Sequence, residues 1–221
     1  MNKKTRWTIR TLFIIYMLYI AWTIISKQSF YSFLLLNTFL AYIPIELAMH
    51  INLKQSKGMF IILFILWLLF YPNAPYVLTD LFHLSKIYPF SSTTGLMIFN
   101  LHMWWHFGNL VFAALMCSLF GMWSLTHVTR IMAQRLHKNT PSFKIGITFI
   151  LIFLSAVGVY VGRFLRLHTI YLFMDPKGVV HQLLAMWNSR MLAFIVMFTL
   201  IQLLIWLAMN IYHVTIDDQN N

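Results

Sequence analysis

Residues 71–84 interrupt a long apolar stretch and read Tyr71-Pro72-Asn73-Ala74-Pro75-Tyr76-Val77-Leu78-Thr79-Asp80-Leu81-Phe82-His83-Leu84. The apolar run before the interruption, Met59 to Tyr71, covers roughly 20 Å at the helical rise, whereas the hydrocarbon core of a bilayer is about 30 Å thick. Since Pro75 has no N–H and disfavours helical geometry at the residue before it, we predict a helix that breaks at Pro72-Pro75 and resumes at about Tyr76. A break at membrane depth is tolerated only where it is buried in protein or lines a watery cavity, so the segment points to a site.

The composition of the chain is that of a membrane protein. The 221 residues are 60% hydrophobic and only 10% charged, whereas average soluble domains are about 25% charged. Several apolar runs approach or exceed ~18 residues, which predicts an all-α polytopic protein with residues 1–221 in a single integral membrane domain. The only cysteine, Cys117, excludes an internal disulfide and a thiolate metal cage.

Six apolar segments predict six transmembrane helices, the third one broken as described. Basic residues precede the first segment as they do in a signal peptide, but Ser26-Lys27-Gln28 lacks a small-x-small cleavage pattern, and we therefore predict an uncleaved span. The predicted spans are Trp7–Ile25, Phe30–His50, Met59–Leu84, Leu96–Trp123, Ile145–Leu165 and Met191–Met209.

The distribution of Lys and Arg predicts the orientation of the spans. With both termini inside, ten basic residues lie in inner segments and six lie on the outer side, which favours cytoplasmic N- and C-termini. Four of the six outer residues are Arg163, Arg166, Lys177 and Arg190, in or beside the last outer loop, and this local excess suggests an anion-binding task. Most basic residues fall in short loops, so the net charge of +11 predicts contact with anionic lipid headgroups and no nucleic-acid partner.

Polar residues of several spans converge on the outer side in this topology. Asp80 and His83 are three residues apart and share a face if the broken helix resumes. His102, His106 and Asn109 fall on one stripe of the fourth span. Asn73 can bond backbone groups freed at the break, Asn37 lies near by in the second span, and the last outer loop adds His168, Asp175 and His181.

We predict one outer site from these residues, with no cofactor and no metal. The predicted catalytic residues are Asp80, His83 and His106, and the predicted substrate-binding residues are Asn73, His102, Asn109, Arg163, Arg166 and Arg190.

Structural explanations exist for the same residues. Trp104 and Trp105 beside the histidines are typical of an interfacial belt. The two arginines at the end of the fifth span can be snorkelling residues, or one of them can form an ion pair with Asp80. Glu46 near the inner end of the second span is expected to contact water, and would need a partner if it lies deeper.

Three segments carry a resemblance to a known family. They are the quoted 71–84 stretch, Gly158-Val159-Tyr160-Val161-Gly162-Arg163-Phe164-Leu165-Arg166 and, more weakly, Asn37-Thr38-Phe39-Leu40-Ala41-Tyr42-Ile43-Pro44. In these segments the chain resembles a bacterial membrane-protein family catalogued as domain of unknown function 1361. The resemblance implies a multi-pass protein of the bacterial cytoplasmic membrane and no known activity. The family usually continues with Asn-Ser-Trp-Asp, and this chain departs from that pattern with Leu167-His168-Thr169-Ile170-Tyr171, so that His168 and Tyr171 replace the polar Asn and Asp.

Four functions are compatible with the pattern. The first is a site that binds or processes a phosphate-bearing lipid headgroup, with the arginines holding the anion and a histidine acting as general acid or base; membrane lipid phosphatase motifs are not present. The second is a small-solute permease, for which six spans suffice in a homodimer. The third is a metal or haem protein that uses some of the histidines, and the fourth is an accessory subunit without chemistry. Enzyme status stays open.

Overall fold

The chain forms an all-α bundle, as the sequence predicted. The computed structural model describes residues 2–26, 32–91, 93–165 and 174–219, with side chains up to Ile211. The α-helices are α1 (Lys3–Ile25), α2 (Ser32–His50), α3 (Lys57–Phe70), α4 (Asn73–Tyr76), α5 (Leu101–Arg135), α6 (Pro141–Tyr160), α7 (Pro176–Ala185) and α8 (Ser189–Gln219). A 3₁₀ helix (Val77–Lys86) directly follows α4, and a π-helical turn (Val161–Leu165) directly follows α6.

Six of these segments are long and apolar enough to cross a membrane, which confirms the predicted number of spans. The third is a composite of α3, α4 and the 3₁₀ helix, and the fifth joins α6 to the π-helical turn. The spans are Lys3–Ile25, Ser32–His50, Lys57–Lys86, Leu101–Arg135, Pro141–Leu165 and Ser189–Ile211.

The break in the third span lies where the two prolines predict it. The Tyr71 N–H still donates to the Trp67 carbonyl at 2.7 Å, after which α4 makes a single turn. The Asn73 side chain donates to the Phe70 carbonyl at 2.9 Å, so it bonds a backbone group beside the break, as predicted. Beyond Tyr76 the chain resumes as a 3₁₀ helix rather than the expected α-helix. A 3₁₀ helix rises about 2 Å per residue, so this geometry completes the crossing with fewer residues.

The broken segment packs tightly against two neighbouring spans. A Cβ placed on Gly121 of α5 would lie 2.6 Å from the Ala74 Cβ, and one on Gly158 of α6 would lie 2.6 Å from the Pro72 Cγ. Glycine at these two positions therefore allows close approach of the helices to the break. The break is buried in protein, which is one of the two conditions that make it tolerable in a membrane.

Helix α5 is longer than the sequence predicted. The predicted span ended at Trp123 and was followed by a loop, whereas α5 continues to Arg135. The extension is helical because Leu125, Val128 and Ile131 bury one face of it while polar residues occupy the other. Two residues after the end of α5, His137 has a φ of 55°, and this left-handed residue turns the chain away from the helix axis. At its other end α5 begins at Leu101 rather than Leu96, because the Asn100 side chain caps the N–H of His102 at 3.0 Å.

The two ends of the bundle carry different polar clusters. We call the end near Glu46 the glutamate end and the opposite end, near His83, the histidine end. At the glutamate end the Arg10 guanidinium forms an ion pair with Glu46, which also accepts from the Tyr42 hydroxyl and contacts His50 Nε2 at 3.0 Å. Glu46 was expected to contact water, or to have a partner if it lies deeper; its side chain keeps 27% exposure and also has a partner, because α1 brings Arg10 against α2.

Candidate functional site

Asp80 is a carboxylate enclosed by three spans. Its side chain is only 1% exposed, and its two oxygens have different partners. Oδ2 accepts a hydrogen bond from the Asn37 side chain of α2 at 2.7 Å, and Oδ1 lies 3.4 Å from an Arg163 guanidinium nitrogen. A buried carboxylate has to be paired and hydrogen-bonded, and Asp80 meets both requirements.

Arg163 is held between Asp80 and an aromatic ring. Its guanidinium lies 5.8 Å from the centre of the Tyr76 ring, and the same nitrogen lies 3.5 Å from the Tyr76 hydroxyl. The side chain is 24% exposed, so it lies at the boundary of the buried region. The alternative of an ion pair between Asp80 and Arg163 is therefore what the structure shows. It partly neutralises the charge that was predicted to hold an anion.

The 3₁₀ helix places His83 directly above Asp80. With three residues per turn, residues i and i+3 are eclipsed, and His83 Nδ1 donates to the Asp80 carbonyl oxygen at 3.0 Å. Because a carbonyl only accepts, this bond puts the proton on Nδ1 and leaves Nε2 as the acceptor of the neutral ring. The imidazole also stacks on Phe33, with ring centres 4.0 Å apart. The Asp80 backbone thus orients the ring.

A cleft of about 670 Å³ opens at the histidine end, beyond Asp80. Its polar lining consists of His83, Lys86, His102 and His106, and its apolar lining of Phe33, Ile87, Tyr88 and Met103. Among the residues that the structure describes around the cleft, none is acidic, and Asp80 itself does not line it. The cleft is therefore a basic pocket with one apolar side.

Two of the cleft histidines are bonded to each other. His102 and His106 lie one turn apart at the start of α5, with their Nε2 atoms 3.1 Å apart and their rings nearly perpendicular. One Nε2 must donate and the other accept. His106 is buried and His102 is exposed, so the pair extends from the bundle interior to the mouth of the cleft.

The family comparison covers most of this framework. A family model described as protein of unknown function (DUF1361) matches residues 36–205, which is more than half of the chain. The chain belongs to the DUF1361 family. Comparison with curated proteins and with solved structures found no match.

The matched region of this DUF1361 protein contains the whole Asp80 cluster. Asn37, Tyr76, Asp80 and Arg163 all fall within residues 36–205, as do the three cleft histidines. Helix α1 lies outside the match. The resemblance seen in the sequence is thereby confirmed, and the family description carries no activity.

Two predicted substrate-binding residues lie away from the cleft. Asn109 faces α1, where its side chain donates to the Tyr19 hydroxyl at 3.2 Å and its backbone carbonyl accepts from Tyr16 at 2.9 Å. Asn73 bonds the backbone at the break. Both side chains have structural partners, and their binding roles stay predictions.

Two of the predicted arginines, Arg163 and Arg190, lie in the described part of the chain. Arg163 is paired with Asp80, and Arg190 is exposed at the start of α8. Arg166 and His168 lie outside the described residues. The catalytic assignment of Asp80, His83 and His106 stays a prediction. The geometry gives Asp80 a positioning contact to His83 rather than a place in the cleft.

Lys86 is the cleft residue that the sequence prediction missed. It lies three residues after His83, and the spacing of 80, 83 and 86 was available as a signal. In a 3₁₀ helix these three residues are eclipsed on one stripe, whereas in the expected α-helix each would be rotated by about 60° from the one before it.

The histidines do not form a recognisable metal site in the described part of this DUF1361 protein. Within those residues, no three His, Cys, Asp or Glu side chains come close enough together to hold a metal ion. His102 and His106 alone supply two nitrogen ligands, whereas protein zinc sites use at least three protein ligands.

Proposed function

We propose that this DUF1361 protein binds the anionic headgroup of a membrane lipid in the cleft at its histidine end. One observation carries the proposal. His83, Lys86, His102 and His106 line a single cleft without an acidic neighbour among its described lining residues. The Lys86 ammonium group and the N–H that the His102–His106 pair does not use between its own two rings are hydrogen-bond donors for phosphate oxygens, whereas neutral His83 spends its N–H on the Asp80 carbonyl. Charge-assisted bonds to an anion are about twice as strong as neutral ones.

The position of the cleft supports the same charge preference. Two of its histidines are in the first two turns of α5, a helix of 35 residues. The N-terminal end of a helix carries a partial positive charge, which favours an anion near by. Asn100 caps the first N–H groups, so the contribution of the helix here is mainly its field.

The Asp80 cluster acts as a support in this proposal. Arg163 is engaged by Asp80 and Tyr76, so Lys86 replaces it as the main cation for the ligand. Asp80 holds His83 through its backbone carbonyl and joins α2, the third span and the fifth span. The cluster thus fixes one wall of the cleft, and predicted binding roles for Arg166 and Arg190 are not needed.

We place the protein in a bacterial cytoplasmic membrane, with the histidine end outside and both termini in the cytoplasm. The support is the distribution of Lys and Arg, since the segments at the glutamate end hold ten of the sixteen basic residues. Loops rich in Lys and Arg stay on the cytoplasmic side. The cleft would then contact the outer leaflet.

A permease is the competing function, and the packing of the break favours binding over transport. Transporters use broken helices near the middle of the membrane, and parts of them rock around the substrate site. Here the break packs directly against Gly121 and Gly158, and neither position has room for a methyl group in place of the glycine hydrogen. A rigid support for the cleft explains this packing better than a moving gate does.

Lipid retention tests the proposal. The purified protein is released from nanodiscs that contain equal amounts of phosphatidylglycerol and phosphatidylcholine, and bound lipid is counted by native mass spectrometry. We expect one phosphatidylglycerol to be retained, and Lys86→Gln and His102→Gln to lower its retention at least fivefold.

Lys57→Gln is the matched control, because it removes the same charge from an exposed lysine at the glutamate end. It should leave the retention unchanged. Equal losses in Lys86→Gln and Lys57→Gln, or equal retention of the two lipids by the unmodified chain, would refute headgroup binding in the cleft.

A further inference from the structure

A second cavity adjoins the basic cleft and has the opposite character. It has a volume of about 290 Å³, and its lining is apolar throughout. Ile87 and Met103 line both the cavity and the cleft. The remaining walls include Leu84, Ile98, Trp104 and Phe107. A charged compartment and an apolar compartment thus meet along a common wall.

We propose that the ligand of the cleft is an acylated anionic amphiphile, with its headgroup among the histidines and part of one acyl chain in the apolar cavity. This inference rests on the proposed headgroup binding and specifies its ligand. It distinguishes a phospholipid ligand from a free anion such as glycerol 3-phosphate, which offers the same phosphate chemistry without an acyl chain.

The size and lining of the cavity fit an alkyl segment. One water occupies about 30 Å³ of the liquid, so the cavity has room for on the order of ten groups of that size. Water needs two to four polar partners in such a place, and the lining side chains of this cavity are apolar. Each methylene buried there strengthens binding by about fourfold before the cost of ordering the chain is subtracted.

The loop that walls the cavity carries exposed apolar side chains. Between the 3₁₀ helix and α5 the chain folds back on itself, with Phe90 bridged to Met97 and the Ile98 N–H donating to the Pro89 carbonyl at 2.7 Å. Leu96 is 70% exposed and Phe99 is 81% exposed. Side chains of this kind at the end of a membrane-spanning bundle contact lipid more favourably than water. An acyl chain can therefore enter from the bilayer.

The ligand is tested with a photoreactive lipid. Nanodiscs of phosphatidylcholine carry a trace of phosphatidylglycerol with a diazirine at the end of one acyl chain, and cross-linked residues are mapped by mass spectrometry. We expect labelling of Met103, Trp104 or Phe107 that excess unlabelled phosphatidylglycerol suppresses. Excess phosphatidylcholine and excess glycerol 3-phosphate should suppress it at least tenfold less effectively.

Two tryptophan substitutions in the same loop distinguish the cavity from general lipid contact. Ile98→Trp fills the cavity and should reduce the labelling at least fivefold. Leu96→Trp is the matched control, because Leu96 belongs to the same loop and does not line the cavity. Both variants should keep the elution profile and thermal unfolding midpoint of the unmodified protein.

The outcomes separate this inference from the proposed function. Labelling that is equal in Ile98→Trp and Leu96→Trp, or equal suppression by glycerol 3-phosphate and phosphatidylglycerol, overturns the acyl-chain site while Lys86→Gln still lowers headgroup retention. Retention that does not respond to Lys86→Gln overturns headgroup binding, and this inference with it.

Discussion

At the scale of single residues, the ion pair between Asp80 and Arg163 is asymmetric. Asp80 is almost completely buried, whereas Arg163 keeps contact with solvent. Removing the arginine leaves a buried carboxylate without a cation, which costs about 3–5 kcal/mol in typical buried pairs. Removing the carboxylate leaves a cation that water can reach, and we expect a smaller cost of about 1–2 kcal/mol. We therefore predict that Arg163→Gln lowers the thermal unfolding midpoint on the order of 10 °C and Asp80→Asn about half as much.

The double variant tests whether the two residues act as a pair. Asp80→Asn combined with Arg163→Gln has no uncompensated buried charge and should unfold at a higher temperature than Arg163→Gln alone. Differential scanning fluorimetry of the detergent-solubilised proteins measures the three midpoints. Strictly additive losses would show that Asp80 and Arg163 contribute independently, contrary to the observed contact.

Asn109 distinguishes a structural role from a ligand-binding role. Its side chain donates to Tyr19 across the α1–α5 contact. We predict that Asn109→Ala lowers the unfolding midpoint, because a hydrogen bond in the protein interior contributes about 0.5–1.5 kcal/mol. Retention of phosphatidylglycerol in the native mass spectra should not change. A loss of retention at an unchanged midpoint would restore the predicted substrate-binding role of Asn109.

At the scale of elements, the fold depends on how closely α5 and α6 approach the break in the third span. The space for a methyl group is missing at Gly121 and Gly158. We predict that Gly121→Ala and Gly158→Ala each destabilise the protein by about 1–3 kcal/mol, because the clash forces a backbone or the Pro72 ring to move. The unfolding midpoint in detergent is the measurement.

Each of these two helices supplies its own control. Gly108 lies in α5 and Gly146 in α6, and a Cβ at either position would meet nothing within 4 Å. Alanine at these positions should leave the midpoint unchanged or raise it, because alanine is the better helix former by about 1 kcal/mol. If all four alanine variants behave alike, the close approach at the break does not contribute to stability.

The elements could be predicted from the sequence where a local property determines them. Hydropathy predicts six spans, and the missing N–H and ring of Pro75 place the break. The 3₁₀ geometry after Tyr76 and the extension of α5 to Arg135 could not be predicted in this way. Both depend on tertiary packing, since the α5 extension buries Val128 and Ile131 against other helices.

The site was predictable only as a set of candidates. Spacing places His102 with His106 and Asp80 with His83; in the structure the two histidine rings are bonded to each other, and His83 contacts the backbone carbonyl of Asp80. The spacing does not reveal which polar groups of different spans contact each other. The partners Asn37 and Arg163 come from α2 and from the end of the fifth span, so the cluster depends on how three spans pack together.

At the scale of the whole molecule, the bundle has two chemically different ends joined by an apolar middle. The glutamate end is held by the Arg10–Glu46 pair and by Arg135, which donates to the carbonyl of Gln55 at 2.7 Å in the loop between α2 and α3. The histidine end carries the cleft and the apolar loop. If the six apolar helices of the described residues all cross the membrane, Lys3 and Ile211 lie on the same side, and that side can be measured.

Cysteine labelling in intact cells tests the orientation that we propose. Cys117 is fully buried, so the unmodified protein should not react with a membrane-impermeant maleimide and gives a clean background. We predict that Thr94→Cys and Lys177→Cys, at exposed positions of the histidine end, react from outside. Lys138→Cys, at an exposed position of the glutamate end, should react only after permeabilisation, because segments rich in Lys and Arg stay in the cytoplasm. The reverse pattern would put the cleft on the cytoplasmic side, and its lipid would then come from the inner leaflet.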